Sequence, residues 1–314
     1  METLKQRAMM EYTVINNEYI DHGLNREHFL SDRGTICEEE FLRFRQQCHI
    51  LERYTSIRSL LYTAAKNGND LLEYLDPSEL HKKYCMTKPN AKKMVREANR
   101  LALNFASALR TLVEISTNEI KDARNGKSKY EAFQSNVFDN VQGYRFWIRL
   151  RNYLIHRKML YEGCSVTADS VILSVSSRSL LEWHGWNSKQ REDIELLDGG
   201  NCFTTVLPAI FAAFFLIGEW AVIQQEKFEK ASSFLSEFMK HYDITGELYI
   251  GIRESRAFDG GKLLKLYYPP TYEIENISSL IDWRNYIARN GEFAIFEKPE
   301  TLEKLMPHFD GPFD

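Results

Sequence analysis

The segment RLRNYLIHRKM, residues 149–159 of a 314-residue chain, places an arginine, an asparagine and a histidine within six positions. Asn152 and His156 are four residues apart, so on a helix they lie one turn apart on the same face. Arg151 is five residues before His156, about 140° around a helix axis, but its long stem can still bring the guanidinium beside the imidazole. The spacing therefore predicts that these three side chains share one site.

These residue types suit the cleavage of an RNA phosphodiester. Histidine accepts or donates a proton near neutral pH, and arginine offers a forked donor to phosphate oxygens whose charge grows in the transition state. RNA supplies its own nucleophile, the 2'-OH, so a general base and a cation can suffice without a metal or a cofactor. The products would be a 2',3'-cyclic phosphate and a free 5'-OH. We expect His156 to be the general acid or base, Arg151 to bind the scissile phosphate and Asn152 to orient either group.

Further basic residues surround the candidate catalytic residues: Arg145, Arg149, Arg157 and Lys158. Because the formal net charge is -4, any contact with RNA must be local, and we predict that these four residues bind RNA. Four aromatic residues lie among them: Tyr144, Phe146, Trp147 and Tyr153. An exposed ring of this group could stack on an RNA base. The alternative is an ordinary amphipathic helix, with the basic residues in solvent and the aromatic residues in the core.

The elements that position this segment are predicted to be helices. Helical periodicity covers residues 130–160, with a possible interruption at Gly143. Upstream, residues 91–120 place apolar side chains on one stripe without Gly or Pro, and residues 36–66 predict a helix broken by KNGND. DPSEL at 76–80 predicts a short helix between these two. Residues 1–33 have no clean period and are predicted to be mixed helix and loop.

The pattern changes at residue 164. CSVTADSVILSVSS predicts a strand or hairpin, and WNSKQREDIELLDGGN predicts a short helix that ends at Gly199 and Gly200. A long helix follows over residues 202–241. ELYIGIRE and KLLKLYYP predict a second hairpin, SSLIDWRNYIARNG a helix with Gly291 past its end, and GEFAIFEKP a last strand.

Three features bear on the compartment. The five cysteines are odd in number and scattered, with no C-x-x-C pair, so neither a disulfide framework nor a zinc site is predicted. The N-terminus lacks a secretory signal, and we expect a cytoplasmic protein. The apolar run at 201–223 contains Pro208 and Glu219 and is short for a membrane span, so we interpret it as a buried core helix. A membrane-associated effector is the alternative interpretation of this run.

RNYLIH, on a late helix after two long helices, resembles the R-x4-6-H signature of the HEPN superfamily in its R-N-x-x-x-H form. The matching residues are Arg151, Asn152 and His156. The resemblance implies a metal-independent ribonuclease that works as a homodimer, with the motif helices of two subunits meeting at one cleft. One copy of His156 could then act as base and the other as acid. Such proteins recur in toxin-antitoxin and antiviral systems, which implies an antitoxin or a sensor protein as a further partner.

The expected fold class is mainly α, a HEPN-like helical bundle with a smaller C-terminal α+β region. We predict an N-terminal segment (residues 1–35), the HEPN-like domain (36–165) and the α+β region (166–314), whose role the sequence does not indicate. A non-catalytic HEPN-like dimerisation or sensor module is the alternative function. A second Arg-Asn-Tyr at 284–286 has Arg289 where the histidine would stand, so the histidine and its helical setting carry the resemblance.

Overall fold

The computed structural model of the protein describes residues 9–21, 26–77, 80–81, 88–120, 126–167, 170–197, 203–255, 262–267, 281 and 284–285. The helices in these ranges are α1 (Glu38–Leu75), α2 (Lys88–Glu119), α3 (Gly126–Asn140), α4 (Gln142–His156), α5 (Ser177–Leu181), α6 (Ser188–Glu195) and α7 (Phe203–His241). The strands are β1 (Met9–Asp21), β2 (Arg26–Ile36), β3 (Tyr161–Val166), β4 (Val171–Val175), β5 (Glu247–Ser255) and β6 (Lys262–Tyr267). The predicted mainly helical class is confirmed at this level, with a small antiparallel sheet.

The N-terminal residues form a β-hairpin, so the prediction of mixed helix and loop for residues 1–33 was wrong. β1 pairs with β2 and β5 in a four-stranded antiparallel sheet of order β2-β1-β5-β6. Six consecutive residues of β1, from Tyr12 to Asn17, are buried, and the register with β2 shifts between Val14 and Ile15. Burial of both faces and this irregularity remove the alternation of polar and apolar residues that marks a half-buried strand.

α1 runs through KNGND, which was predicted to break it. Gly68 is buried against Phe105 and Ile210, and a Cβ atom there would lie 2.6 Å from Ile210 Cδ1 and 2.9 Å from Phe105 Cε2. The glycine permits close packing of side chains against the helix backbone, and the cost of glycine in a helix, about 1 kcal/mol, is too small to end a 38-residue helix.

Most of the other predicted helices and strands are confirmed, and the rest lie wholly or partly outside the described residues. The long helices at 91–120 and 202–241 are confirmed as α2 and α7, and both predicted hairpins are confirmed as β3–β4 and β5–β6. The short helix after Trp186 is α6, which ends at Glu195, before the predicted glycines. The last strand lies outside the described residues, as do residues 78–79 of the helix at 76–80 and all but residues 281, 284 and 285 of the helix at 278–291.

The chain divides into two compact units, each built from two segments. Unit 1 comprises Met1–Thr55 and Gln225–Ile274, and unit 2 comprises Ser56–Gln224 and Glu275–Asp314. Unit 1 holds the four-stranded sheet, on which Tyr12 stacks with Phe41 at 4.3 Å between ring centroids. The predicted boundary at 35–36 therefore lies inside unit 1, because β1 pairs with β5 from the far end of the chain.

Unit 2 contains the helices of the candidate site. The predicted boundary at residue 165 falls inside β3, where the change from helical to alternating periodicity marks a change of element within one unit. Asn99 of α2 ties this strand to the helices, because its side chain accepts from the Tyr161 amide at 2.8 Å and donates to the Tyr161 carbonyl at 2.9 Å.

α7 is long and apolar enough to span a membrane by length and composition, but 78% of its most apolar window is buried inside the protein. Its carboxylate Glu219 is 1% exposed and is paired with Lys129 at 3.4 Å and with Arg284 at 2.9 Å. The burial is that of a core helix, as predicted from the sequence.

α3 and α4 are separated at Val141, whose backbone is extended, and α4 then continues through Gly143. The predicted interruption at Gly143 is thus two residues late. Gly143 instead allows α4 to approach the first turn of α7: a Cβ atom there would lie 2.3 Å from the Thr205 carbonyl oxygen and 3.3 Å from Pro208 Cβ.

Gly143→Ala is expected to lower the free energy of unfolding by roughly 1–3 kcal/mol, because the new methyl group meets backbone that cannot turn aside. Urea unfolding of the purified variant measures this loss. Gly163→Ala is the matched control, since its Cβ would meet only Ser174 Oγ at 3.4 Å, an ordinary contact. Equal stability of the two variants would contradict close packing at Gly143.

Candidate functional site

α4 is anchored by a largely apolar face that is almost completely buried. Trp147 is fully buried, donates its Nε1–H to Thr205 Oγ1 at 2.9 Å and makes an edge contact with Phe105 at 5.0 Å between centroids. Leu150 and Leu154 extend the buried face toward the C-terminal end of the helix. This packing fixes the orientation of α4 and thereby determines which of its polar residues reach solvent.

All four aromatic residues predicted as candidates for base stacking belong to this buried face: Tyr144, Phe146, Trp147 and Tyr153. Each is at most 3% exposed. The prediction that one of them contacts RNA was wrong, and the alternative of core packing is correct. Burial also raises the pKa of Tyr144 and Tyr153, because the phenolate would lose its hydration.

Arg145 is also buried, so its predicted role in RNA binding was wrong. Its side chain is 5% exposed and forms a bidentate pair with Asp193 of α6, with Nε–Oδ2 at 2.5 Å and Nη2–Oδ1 at 2.7 Å. Its Nη1 donates to the carbonyls of Phe138 and Asp139 at 2.6 and 3.0 Å. With these donors engaged inside the protein, Arg145 joins α4 to α6 and the end of α3.

The remaining predicted residues lie on the solvent side of α4 and just after it. His156 and Arg149 are exposed, whereas Arg151 and Asn152 are half-buried. At 100° per residue, Arg149, Asn152 and His156 fall within an arc of about 60°, while Arg151 is about 140° from His156. Arg149 was predicted only as an RNA-binding residue, but the helix places it on the same face as the histidine.

The polar side chains of this face have no partners elsewhere in the described parts of the chain. There, the side chains of Arg149, Arg151, Asn152, His156 and Arg157 form no hydrogen bond and no ion pair. A free guanidinium and a free imidazole are available to an anionic ligand without the loss of an internal contact. Guanidinium groups in this state can form charge-assisted hydrogen bonds with a phosphate.

Lys158 differs from these residues because it is paired with Glu162 at 2.7 Å. The hydrogen bond raises the pKa of Lys158 and lowers that of Glu162, since it favours the charged form of both groups. Both side chains are more than 40% exposed, so the pair is weak and screened by salt. Lys158 therefore offers a smaller net positive field than its sequence position indicates.

The second Arg-Asn-Tyr has a structural role. Arg284 donates through Nε and Nη2 to Glu219 Oε2, at 3.0 and 2.9 Å, and so neutralises the buried carboxylate of α7. The two copies of the short motif thus behave differently: in α4 the half-buried Arg151 pairs with no described residue, whereas Arg284 forms an ion pair with Glu219.

No group of three or more His, Cys, Asp or Glu side chains that could hold a metal ion occurs within the described residues. Neither a protein-family model nor a curated protein nor a solved structure matches this chain.

Proposed function

We propose that this chain is a metal-independent RNA endonuclease of the HEPN type, which acts in the cytoplasm as a homodimeric toxin or antiviral effector. The observation that carries the proposal is the solvent face of α4. On a helix whose aromatic and leucine side chains are buried, Arg149, Asn152 and His156 share one stripe that reaches solvent, and Arg151 and Arg157 flank it. None of these side chains forms a hydrogen bond or an ion pair with a described residue, so polar contacts within the described fold do not account for them.

The chemistry follows from the residue types. His156 removes the proton of the ribose 2'-OH, which attacks the adjacent phosphorus and expels the 5'-oxygen of the next nucleotide. Arg149, within the stripe, and Arg151, which flanks it, reach toward the non-bridging oxygens and stabilise the charge that accumulates there. Asn152 lies one turn before His156 and orients the imidazole or a phosphate oxygen. The products are a 2',3'-cyclic phosphate and a 5'-OH.

A second subunit completes this site. The 5'-oxygen needs a proton as it leaves, and one histidine cannot act as base and acid in the same step. A two-fold axis beside the end of α4 would bring the second His156 to the leaving group. Ile155 and Met159 are 50% and 49% exposed on either side of His156 in sequence, and a dimer interface would cover these apolar side chains.

Cleavage in the absence of metal is the test of this function. We expect the purified protein to cut single-stranded RNA equally well with and without excess EDTA, because both the nucleophile and the acid–base groups come from RNA and protein. Mass spectrometry of the fragments should find 2',3'-cyclic phosphate ends. A strand with 2'-deoxyribose at the cleaved position should resist, since it lacks the nucleophile. Cleavage of that strand, or a requirement for Mg²⁺, would contradict the mechanism.

The alternative function is a non-catalytic helical dimerisation or sensor module. Exposure of Ile155 and Met159 favours it as much as it favours the enzyme, because both functions use the end of α4 as an interface. The two functions differ in what His156→Ala does: a dimerisation module lacking this exposed imidazole would keep its oligomeric state and would have no RNA cleavage to lose. An antitoxin or sensor protein as partner is part of either proposal.

A further inference from the structure

A groove of about 700 Å³ lies in unit 2, between the first half of α2 and the segment that follows α4. One wall is formed by α2, and the other by Met159 together with Glu162, Gly163 and Cys164 at the start of the β3–β4 hairpin. The sequence predicted no ligand for the residues that line this groove. The groove begins three residues after His156, a distance of at most about 11 Å along the chain.

The α2 wall carries three basic residues at intervals of four positions: Lys92, Arg96 and Arg100. Four residues of α-helix advance about 6 Å along the axis and rotate only 40°, so the three side chains follow one edge of the groove. Lys92 and Arg96 are exposed and form no ion pair with any described residue. Arg100 is paired with Glu97, with Nη2–Oε1 at 2.5 Å and Nε–Oε2 at 2.9 Å.

The acidic residues near the groove do not cancel this charge. Glu162 lies in the lining, but it is paired with Lys158 at 2.7 Å. Glu97 is matched by Arg100. With both carboxylates paired, Lys92 and Arg96 give the groove a net positive charge in a chain whose formal charge is -4. An anionic ligand is therefore favoured over a neutral or cationic one.

The interior of the groove is apolar. Val95 and Leu103 of α2 are half-buried, and Met159 is 49% exposed on the opposite wall. Asn99 is not available to a ligand, because its amide is occupied by the Tyr161 backbone. A ligand that combines an anionic edge with an apolar surface matches both features of the groove, and a nucleotide has both.

We propose that this groove binds single-stranded RNA next to the scissile phosphate. Lys92 and Arg96 hold successive phosphates, and a base lies against Val95, Leu103 and Met159. The choice of RNA rests on the proposed function, since a strand cut at His156 must continue across the neighbouring surface. The groove thus sets the direction in which the strand leaves the site, and it favours substrates with unpaired nucleotides on that side.

Binding of a strand that cannot be cleaved tests this proposal independently of catalysis. A fluorescent single-stranded RNA with 2'-O-methyl groups is titrated into the full-length protein, and its anisotropy is followed. Lys92→Ala/Arg96→Ala is expected to bind at least about tenfold more weakly at low salt, and its plot of log affinity against log salt should be shallower by about 1.4, the slope of two phosphate contacts. The matched control is Lys227→Ala/Lys240→Ala, which removes the same charge from exposed lysines of α7 outside the groove.

Equal weakening in both double variants would show that the effect is general charge, and wild-type affinity in the groove variant would show that RNA binds elsewhere. Either result overturns the proposal. Polyglutamate is the competitor that tests for an acidic protein partner: if it displaces the RNA as well as unlabelled RNA of equal charge does, the groove is not an RNA site. Thermal unfolding confirms that each variant is folded.

Alkylation of Cys164 provides a second readout. This thiol lies in the groove lining and is half-buried, while Cys37 is exposed in unit 1 and serves as the internal control. Bound RNA should slow alkylation of Cys164 several-fold and leave Cys37 unchanged, as measured by peptide mass spectrometry, and the groove variant should lose this protection. If RNA protects Cys164 but the wild type cleaves no RNA, the groove proposal stands and the nuclease function is rejected. If the wild type cleaves RNA but RNA does not protect Cys164, the nuclease function stands and the groove proposal is rejected.

Discussion

His156→Ala is expected to lower the rate of RNA cleavage by roughly 10²–10⁴-fold, the usual contribution of a general acid or base. The loss should be larger if the two copies act as base and acid, because one substitution then removes both. His156 is exposed and its side chain bonds no other described residue, so the variant should fold and unfold like the wild type. Initial rates on a labelled RNA, together with thermal unfolding and sedimentation, separate catalysis from stability and assembly.

His241→Ala is the matched control, because this histidine is also exposed and also ends a helix, α7, in the other unit. Its cleavage rate should equal that of the wild type. Mixed dimers test whether both histidines serve one site. If they do, a dimer with one His156→Ala subunit should be nearly as inactive as a dimer in which both subunits carry the substitution. Cleavage by the His156→Ala homodimer at the wild-type rate would rule out the proposed function.

Arg145→Ala is expected to cost about 3–5 kcal/mol of folding stability, because it leaves the Asp193 carboxylate buried without a counter-ion. It also leaves the carbonyls of Phe138 and Asp139 without their donor. Denaturant unfolding should show an earlier midpoint, and any loss of RNA binding should follow the loss of folded protein. Arg145→Met/Asp193→Leu should recover part of the stability, since it removes both charges together.

The control for this prediction lies one turn away on the same helix. Arg149 is exposed and unpaired within the described chain, and Arg149→Ala should change stability by less than about 0.5 kcal/mol. The same pair of variants should behave oppositely on RNA, with Arg149→Ala weakening cleavage in a fully folded protein. If Arg145→Ala proved as stable as Arg149→Ala, the buried ion pair would not be a major contributor to the fold.

The contrast between these two arginines shows how far sequence could define the site. Periodicity predicted the helix, and residue types predicted the chemistry of its solvent face. The periodicity of α4 alone places Arg145 on the polar side, close in angle to Arg149 and His156. Its burial depends on α6, whose Asp193 is 48 residues further along the chain. The capping box of Asn187 and Gln190 locates the start of α6, but not the surface on which α6 packs.

The fold was predictable where local patterns decide the structure. Long apolar stripes gave α2 and α7, and alternating residues gave the β3–β4 and β5–β6 hairpins. Prediction from the sequence was wrong where tertiary contacts override local preference. Gly68 lies inside a helix because Phe105 and Ile210 pack over it, and β1 was not recognised as a strand because six of its consecutive residues are buried. No local signal indicates that β1 will pair with β5.

The pairing of β1 with β5 delays completion of the four-stranded sheet during synthesis. Asn17 is opposite Glu247 in the sheet, and the two residues are 230 positions apart in the chain. At a synthesis rate of about 5–20 residues per second, the N-terminal hairpin must wait roughly 10–50 s on the ribosome before its partner strand is translated. The elements that pack against α4, as far as α6 and the first turn of α7, are all translated before β5, so this part of the chain can fold first. We therefore expect the surface of His156 to form on the nascent chain while the β1 edge is still unpaired and exposed to chaperones.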